Sequence, residues 1–126
     1  MGGLYREENP FFLGNIDELT ELKIPEGIIV IGNGAFQNFT KLEKVVVGKS
    51  VNTILFDAFK GCKKLKDVNL PNGLLNNIGI IQIDTYAFDS TEMLEIKQQE
   101  GYDPFAKLES IGVAAFNRAG DNIEIS

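Results

Sequence analysis

The residue types that most often perform chemistry are scarce in this chain. Histidine is absent, so the sequence contains no His-dependent triad and lacks the commonest general base and metal ligand. The single cysteine, Cys62, cannot form an internal disulfide, and its setting among apolar residues predicts a buried hydrophobe, not a nucleophile. The sequence therefore predicts neither a metal site nor a cofactor site.

Paired carboxylates are the remaining candidates for acid–base chemistry. Glu21 with Glu43 is one such pair, but both are predicted on an open sheet in water. No desolvation would separate their pKa values there, as glycoside hydrolysis requires. The two glycines of Gly32-Asn33-Gly34 lack a third glycine and a following long helix, which argues against a phosphate-binding loop. We predict that the protein is not an enzyme; a hydrolase stays only as a third hypothesis.

The net charge of −6 argues against a nucleic-acid or anionic-membrane binder, because phosphate affinity comes mainly from clustered lysine and arginine. No apolar run approaches the ~20 residues that cross a bilayer. The first eight residues lack the basic start and the apolar core of a signal peptide. The expected partner is a protein, and the missing signal peptide suggests a fragment of a longer protein or an intracellular member.

A repeated apolar pattern dominates the chain. The dipeptide Ala-Phe returns at intervals of 23, 29 and 28 residues, at Ala35-Phe36, Ala58-Phe59, Ala87-Phe88 and Ala115-Phe116. Isoleucine recurs five residues before each phenylalanine, at Ile31, Ile54, Ile83 and Ile111. Apolar residues that recur at this interval indicate a solenoid, in which the apolar face of each turn is covered by the neighbouring turns.

Each repeat is predicted to contain two short strands. Segments 19–25, 42–48 and 65–71 alternate apolar and polar residues and stop at Pro or Gly, as strands do. Stacked turns would align these segments in a parallel sheet, and stretches such as 28–31 would form a second short strand on the opposite wall. The Ala-Phe segment is predicted as a tight or helical turn. The fold class is a β-rich (α/β-class) solenoid, right-handed by the general crossover rule.

The whole chain, residues 1–126, is predicted to form one repeat domain. A degenerate half-repeat at 12–18 precedes repeats that begin near residues 19, 42, 65 and 94. The third turn is lengthened near 72–78 and the fourth near 95–107, where the extra residues are predicted to leave the stack as loops.

The inward strand column is predicted nine residues after each phenylalanine. That count selects Val45, Val68, Lys97 and Ile125. Because Lys97 breaks the apolar column, the strand after Leu94 is predicted to be short, displaced or missing.

The unit from Leu19 to Leu65 joins L-x-x-[IV]-x-[IVL]-[PG] to I-x-x-x-A-F and a later leucine. It resembles the BspA-like leucine-rich repeats over roughly residues 12–126, which implies a leucine-rich-repeat solenoid without catalytic residues. Arrays of that family usually belong to secreted or cell-surface proteins of host-associated bacteria and some parasitic protists, where they adhere to host proteins. The resemblance implies a protein-interaction or adhesion module of a bacterial surface protein. The alternative is a structural spacer with no binding site of its own.

Two places are candidate contact surfaces. The first is the outward positions of the predicted sheet: Thr20, Glu21, Lys23, Glu43, Lys44, Val46, Lys66, Asp67 and Asn69. Their charges alternate between neighbouring strands, so a charge ladder that only fixes register is the alternative explanation. The second is the lengthened fourth turn, where Tyr102 and Phe105 could anchor a partner, unless Phe105 folds back to seal the stack.

The ends of the array carry apolar residues that further repeats or a second molecule would have to cover. These residues are Leu13, Ile16 and Ile125. They predict self-association through uncapped repeat ends, or neighbouring repeats in a longer chain.

Overall fold

The computed structural model describes residues 18–96, 98–120 and 122–123. Within these ranges the chain forms nine short strands and no α-helix. The strands are β1 (Glu21–Ile24), β2 (Val30–Ile31), β3 (Lys44–Val47), β4 (Thr53–Ile54), β5 (Asp67–Asn69), β6 (Gln82–Ile83), β7 (Glu95–Ile96), β8 (Ser110–Ile111) and β9 (Asn122–Ile123). The predicted half-repeat at 12–18 lies almost wholly outside the described residues.

The strands form two parallel sheets, which confirms the solenoid. The first sheet has the order β1-β3-β5-β7-β9 and the second has the order β2-β4-β6-β8, so each turn gives one strand to each wall. Inward residues of the first sheet, such as Leu22 and Val45, are buried, while their neighbours along the strand point to solvent. The side chains of Ile31, Ile54 and Ile83 fill the interior from the second sheet.

The inward column of the first sheet differs from the prediction in its last two strands. Strand β7 is present, although short, and Ile96 is its buried residue. Ile96 pairs with Ile123 of β9, so Ile96 and Ile123 occupy the places predicted for Lys97 and Ile125. The chain reaches the sheet one residue sooner after Phe88, and two residues sooner after Phe116, than the count of nine assumed.

The four phenylalanines of the Ala-Phe turns stack on one another along the solenoid axis. Ring centroids are 5.4 Å apart between Phe36 and Phe59, and 5.2 Å apart between Phe59 and Phe88 and between Phe88 and Phe116. Such offset stacks add to the energy of burying the rings. Main-chain hydrogen bonds also connect the consecutive Ala-Phe turns. For example, the Phe59 N–H donates to the Ala87 carbonyl oxygen at 2.7 Å. The Ala-Phe segments are thus tight turns joined by their own hydrogen-bond ladder.

Each Ala-Phe turn contains two residues in the left-handed backbone region. One lies two residues before the phenylalanine, at Gly34, Asp57, Tyr86 and Ala114, and the other lies two residues after it, at Asn38, Gly61, Ser90 and Arg118. An L-residue pays about 1–2 kcal/mol in this conformation, whereas glycine adopts it without that cost. The later turns, which have no glycine at these places, therefore carry local strain.

The substitution Ala114→Gly is expected to raise the free energy of unfolding by about 0.5–1 kcal/mol. Ala114 has a φ of 57°, and the relief of that strain exceeds the extra entropy that glycine gains in the unfolded chain. The neighbouring variant Ala115→Gly is the matched control. It removes a buried methyl group from a residue outside the left-handed region, so we expect it to destabilise the protein by about 1 kcal/mol. Urea denaturation of both variants would contradict this account if Ala114→Gly were the more damaging.

The two insertions dock on each other. Asn72 in the first donates through Nδ2 to the Gly101 carbonyl oxygen at 2.7 Å and accepts through Oδ1 from the Asp103 N–H at 3.1 Å. The Gly73 N–H donates to the Asp103 carbonyl oxygen at 2.9 Å. These hydrogen bonds join the two insertions into a single unit.

Lys107, in the second insertion, adds further hydrogen bonds to the contact between the two insertions. The Lys107 ammonium donates to the carbonyl oxygens of Gly73, Leu75 and Ile78, the last at 3.0 Å. These carbonyls converge on one cation and hold the first insertion in a compact curve, with Leu74 and Leu75 exposed at its tip.

Candidate functional site

The outward residues of the first sheet form one continuous surface, which we call the outer face. Its exposed members are Thr20, Glu21, Lys23, Glu43, Lys44, Lys66, Asp67 and Asn69, and Val46 is half-buried among them. Thr20 directly precedes β1, and its carbonyl oxygen accepts the N–H groups of Glu43 and Lys44. The structure therefore brings together on one side of the sheet all of the predicted sheet positions.

Charges alternate across the first three strands of the outer face. Glu21 is in register with Lys44, and Lys44 with Asp67, as the repeat spacing predicts. Their side chains nevertheless form no ion pair within 4 Å; the ion pairs among the described residues are Lys41 with Glu18 and Arg118 with Asp89. The alternation thus leaves these charged groups unpaired with one another.

Two shallow grooves cross the outer face. The first, the lysine groove, has a volume of about 520 Å³ and is lined by Thr20, Glu21, Glu43, Lys44, Lys64, Lys66, Asp67 and Met93. The second, the tyrosine groove, also has a volume of about 520 Å³ and is lined by Asp67, Val68, Asn69, Glu95, Ile96, Gln99 and Tyr102. Asp67 borders both, so the grooves meet at β5.

Some lining residues were missed by the sequence reasoning. Glu95 was overlooked because the fixed count assigned the inward position to Lys97. The apolar Ile96 was the available signal, since it fixes its neighbour Glu95 on the opposite face of the strand. Lys64, Met93 and Gln99 lie just outside the strands, where the period-two pattern gives no information.

Tyr102 forms the far wall of the tyrosine groove. Tyr102 is half-buried, and its hydroxyl donates to the Leu70 carbonyl oxygen at 2.8 Å. Burial raises the pKa of the Tyr102 phenol, a smaller lowering comes from the bond to Leu70, and the charge of Asp103 raises the pKa further. Backbone hydrogen bonds of 2.9 Å run both ways between Tyr102 and Gln99, so the ring is carried on a tight hairpin.

Phe105 is not available as a contact residue. Only 3% of its surface is exposed, and its ring meets Phe116 edge to face with centroids 6.3 Å apart. Phe105 folds back against the phenylalanine stack, the alternative that the sequence left open, and it is removed from the candidate surface.

Cysteine and carboxylate side chains are the groups of this chain that nucleophilic or metal chemistry would use. Cys62 is fully buried, and its thiol donates to the Phe36 carbonyl oxygen at 3.1 Å. Within the part of the chain that the structure describes, no group of three or more cysteine, aspartate or glutamate residues is placed to hold a metal ion.

A family model for the BspA type leucine rich repeat region matches residues 9–125, in six copies. The chain belongs to this family. No curated protein and no solved structure matches the chain. Repeats of the BspA type generally mediate protein–protein interaction, are typically not enzymes and occur in surface proteins. Among the described residues, no helix has the length and apolar character needed to cross a membrane.

Proposed function

We propose that this BspA-type repeat domain binds a protein partner through the outer face of its first sheet. The observation that carries the proposal is that both grooves lie on this face and are lined by charged groups that do not pair with one another. An unpaired surface charge can bind a partner without first losing an internal ion pair. The repeat geometry supports this use, because stacked turns provide an extended surface.

We further propose that the partner is an extracellular or host protein and that the domain acts in adhesion at a bacterial cell surface. The support is the occurrence of BspA-type repeats in surface proteins, together with the excess of negative charge, which favours a neutral or basic protein as partner.

The first test combines Glu43→Ala with Lys44→Ala and measures binding to immobilised extracellular-matrix and host plasma proteins. The pair removes one charge of each sign from the lysine groove. We expect binding to fall at least about tenfold, while the free energy of unfolding changes by less than about 0.5 kcal/mol, because neither side chain forms an ion pair with another described residue. Tyr102→Ala is measured in the same panel.

The matched control is Lys49→Ala with Glu109→Ala, two exposed residues that line neither groove. This control should bind as the unchanged protein does. If both double variants bound equally well, the outer face would not be the contact surface.

A specific observation supports the spacer as a second candidate. The isoleucine column of the second sheet is buried at Ile31, Ile54 and Ile83, but Ile111 of β8 is 48% exposed and Val113 is 79% exposed. An apolar column left open in this way fits the stacking of another repeat or another molecule. Leu13, Ile16 and Ile125 lie outside the described residues, so self-association stays a prediction. A folded, concentration-dependent oligomer that binds no panel protein would favour this candidate.

A further inference from the structure

The tyrosine groove has a charge arrangement unlike the rest of the outer face. Asp67 and Glu95 are register partners on β5 and β7, two neighbouring strands whose backbones lie roughly 5 Å apart, and both acidic residues line the groove. Like charges in this relation repel each other and destabilise a sheet. Neither carboxylate has a hydrogen bond or an ion pair with another described residue. The pair therefore presents two negative charges to whatever enters the groove.

The other groups of the groove suit a flat cation. Tyr102 supplies an aromatic ring at the side, and Asn69 and Gln99 supply amide groups at the rim. A guanidinium is planar, donates hydrogen bonds in a fork that matches carboxylates and stacks on aromatic rings, whereas an ammonium is a compact and strongly hydrated point charge. The lining therefore favours arginine over lysine.

The wall that carries the ring is held in place before any partner arrives. The Tyr102 hydroxyl is bound to the Leu70 carbonyl, and the hairpin is closed by its paired bonds with Gln99. Asn72 fixes the same hairpin through Gly101 and Asp103. A groove organised in this way loses little conformational entropy on binding.

We propose that the tyrosine groove binds an arginine side chain on an extended segment of the partner protein. The guanidinium lies between the carboxylates of Asp67 and Glu95 and stacks against Tyr102. The inference rests on the proposed function and adds which side chain of the partner is recognised. The volume of about 520 Å³ exceeds that of one side chain, so the groove also accepts neighbouring residues of the segment.

The probe is the peptide acetyl-Gly-Arg-Gly-amide, compared by NMR titration of the 15N-labelled domain with its citrulline and lysine counterparts. Citrulline keeps the shape of arginine but has no charge. We expect saturable shifts at the amides of Asp67, Glu95 and Gln99 with the arginine peptide, at least about tenfold weaker binding of the citrulline peptide and weaker binding of the lysine peptide. Equal binding of the arginine and citrulline peptides, or of the arginine and lysine peptides, would overturn the proposal.

Matched variants locate the site. Asp67→Asn with Glu95→Gln should weaken binding of the arginine peptide at least about tenfold, whereas Glu21→Gln with Glu43→Gln, the same change of charge on the same face, should leave it within about twofold. Tyr102→Leu should weaken binding several-fold, and Tyr102→Phe, which keeps the ring but loses the bond to Leu70, should weaken it less. Equal effects of the two carboxamide pairs would show attraction by net charge alone and would overturn the assignment.

Lys97 is the lysine nearest to Glu95 in the sequence and lies outside the described residues. The variant Lys97→Ala tests whether a lysine of the chain itself competes with the peptide for the two carboxylates. We expect it to leave binding of the arginine peptide unchanged or to strengthen it; weaker binding would contradict the proposal.

Failure of this inference can be told from failure of the proposed function. If the Glu43 and Lys44 variant loses its protein partner while no peptide shifts the tyrosine groove, the arginine site is wrong and the outer face stands. If the partner is kept by every outer-face variant, both proposals fall.

Discussion

The substitution Phe59→Ala is expected to lower the free energy of unfolding by about 3–5 kcal/mol. The ring is fully buried, and it stacks on Phe36 in one direction and on Phe88 in the other. Its loss opens a cavity between three consecutive turns, which can close only by shifting backbones that are tied by hydrogen bonds. A loss of this size is a large part of the stability of a small domain. Equilibrium urea denaturation measures it.

Phe56→Ala is the control for that experiment. Phe56 precedes Phe59 by three residues, is 38% exposed and contacts the ring of Tyr86 at a centroid distance of 6.3 Å. Because most of the loss at Phe59 comes from a closed cavity, we expect Phe56→Ala to cost less than about 1.5 kcal/mol. Similar costs at the two positions would mean that the phenylalanine stack is not the main source of cohesion between turns.

The repeat pattern predicted the fold because burial in a solenoid is periodic. Every turn must present the same apolar columns to its neighbours, so the positions of Ile31, Phe36 and Leu42 recur in sequence wherever they recur in space. The same reasoning predicted the sheet register from Glu21 to Asp67. The register prediction did not require the loop conformations, since the recurring apolar positions alone determine how the turns align.

The prediction was wrong where a turn changes length between two columns. A fixed count from Phe88 selected Lys97, while the structure buries Ile96. The free energy of burying an isoleucine, roughly 1.5–3 kcal/mol, decides which residue faces inward, and the turn adjusts its length to allow it. The same preference selects Ile123 in β9 as the register partner of Ile96. If the inward position had been assigned to the apolar residue Ile96 and not to a fixed count, Glu95 would have been predicted on the outer face.

The candidate site was only half predictable. The outward strand residues of the lysine groove follow from alternation along β1, β3 and β5, whereas Lys64 and Met93 do not. The tyrosine groove depends on the contact between two insertions that have no counterpart in the other turns. That contact is made to main-chain atoms, through Asn72 and Lys107, and main-chain acceptors leave no mark in a sequence pattern.

The substitution Lys107→Met tests whether this contact holds the wall of the tyrosine groove. Methionine keeps most of the length and the apolar stem but removes the charged donor, so the carbonyls of Gly73, Leu75 and Ile78 lose it together. Hydrogen bonds from a charged group are worth more than neutral ones, and we expect a loss of about 2–3 kcal/mol in the free energy of unfolding. Lys63→Met, at an exposed lysine with no such partner among the described residues, should cost less than about 0.5 kcal/mol.

The effect of Lys107→Met should also be local. Amide hydrogen exchange is expected to accelerate in residues 72–79 and in the 99–102 hairpin, while β1 and β3 keep their protection. Because Asn72 joins the first insertion to that hairpin, the same variant should weaken binding in the tyrosine groove without touching a residue that lines it. Uniform loss of protection across both sheets would instead show that Lys107 stabilises the whole solenoid, and that the insertions are not a separate support for the groove.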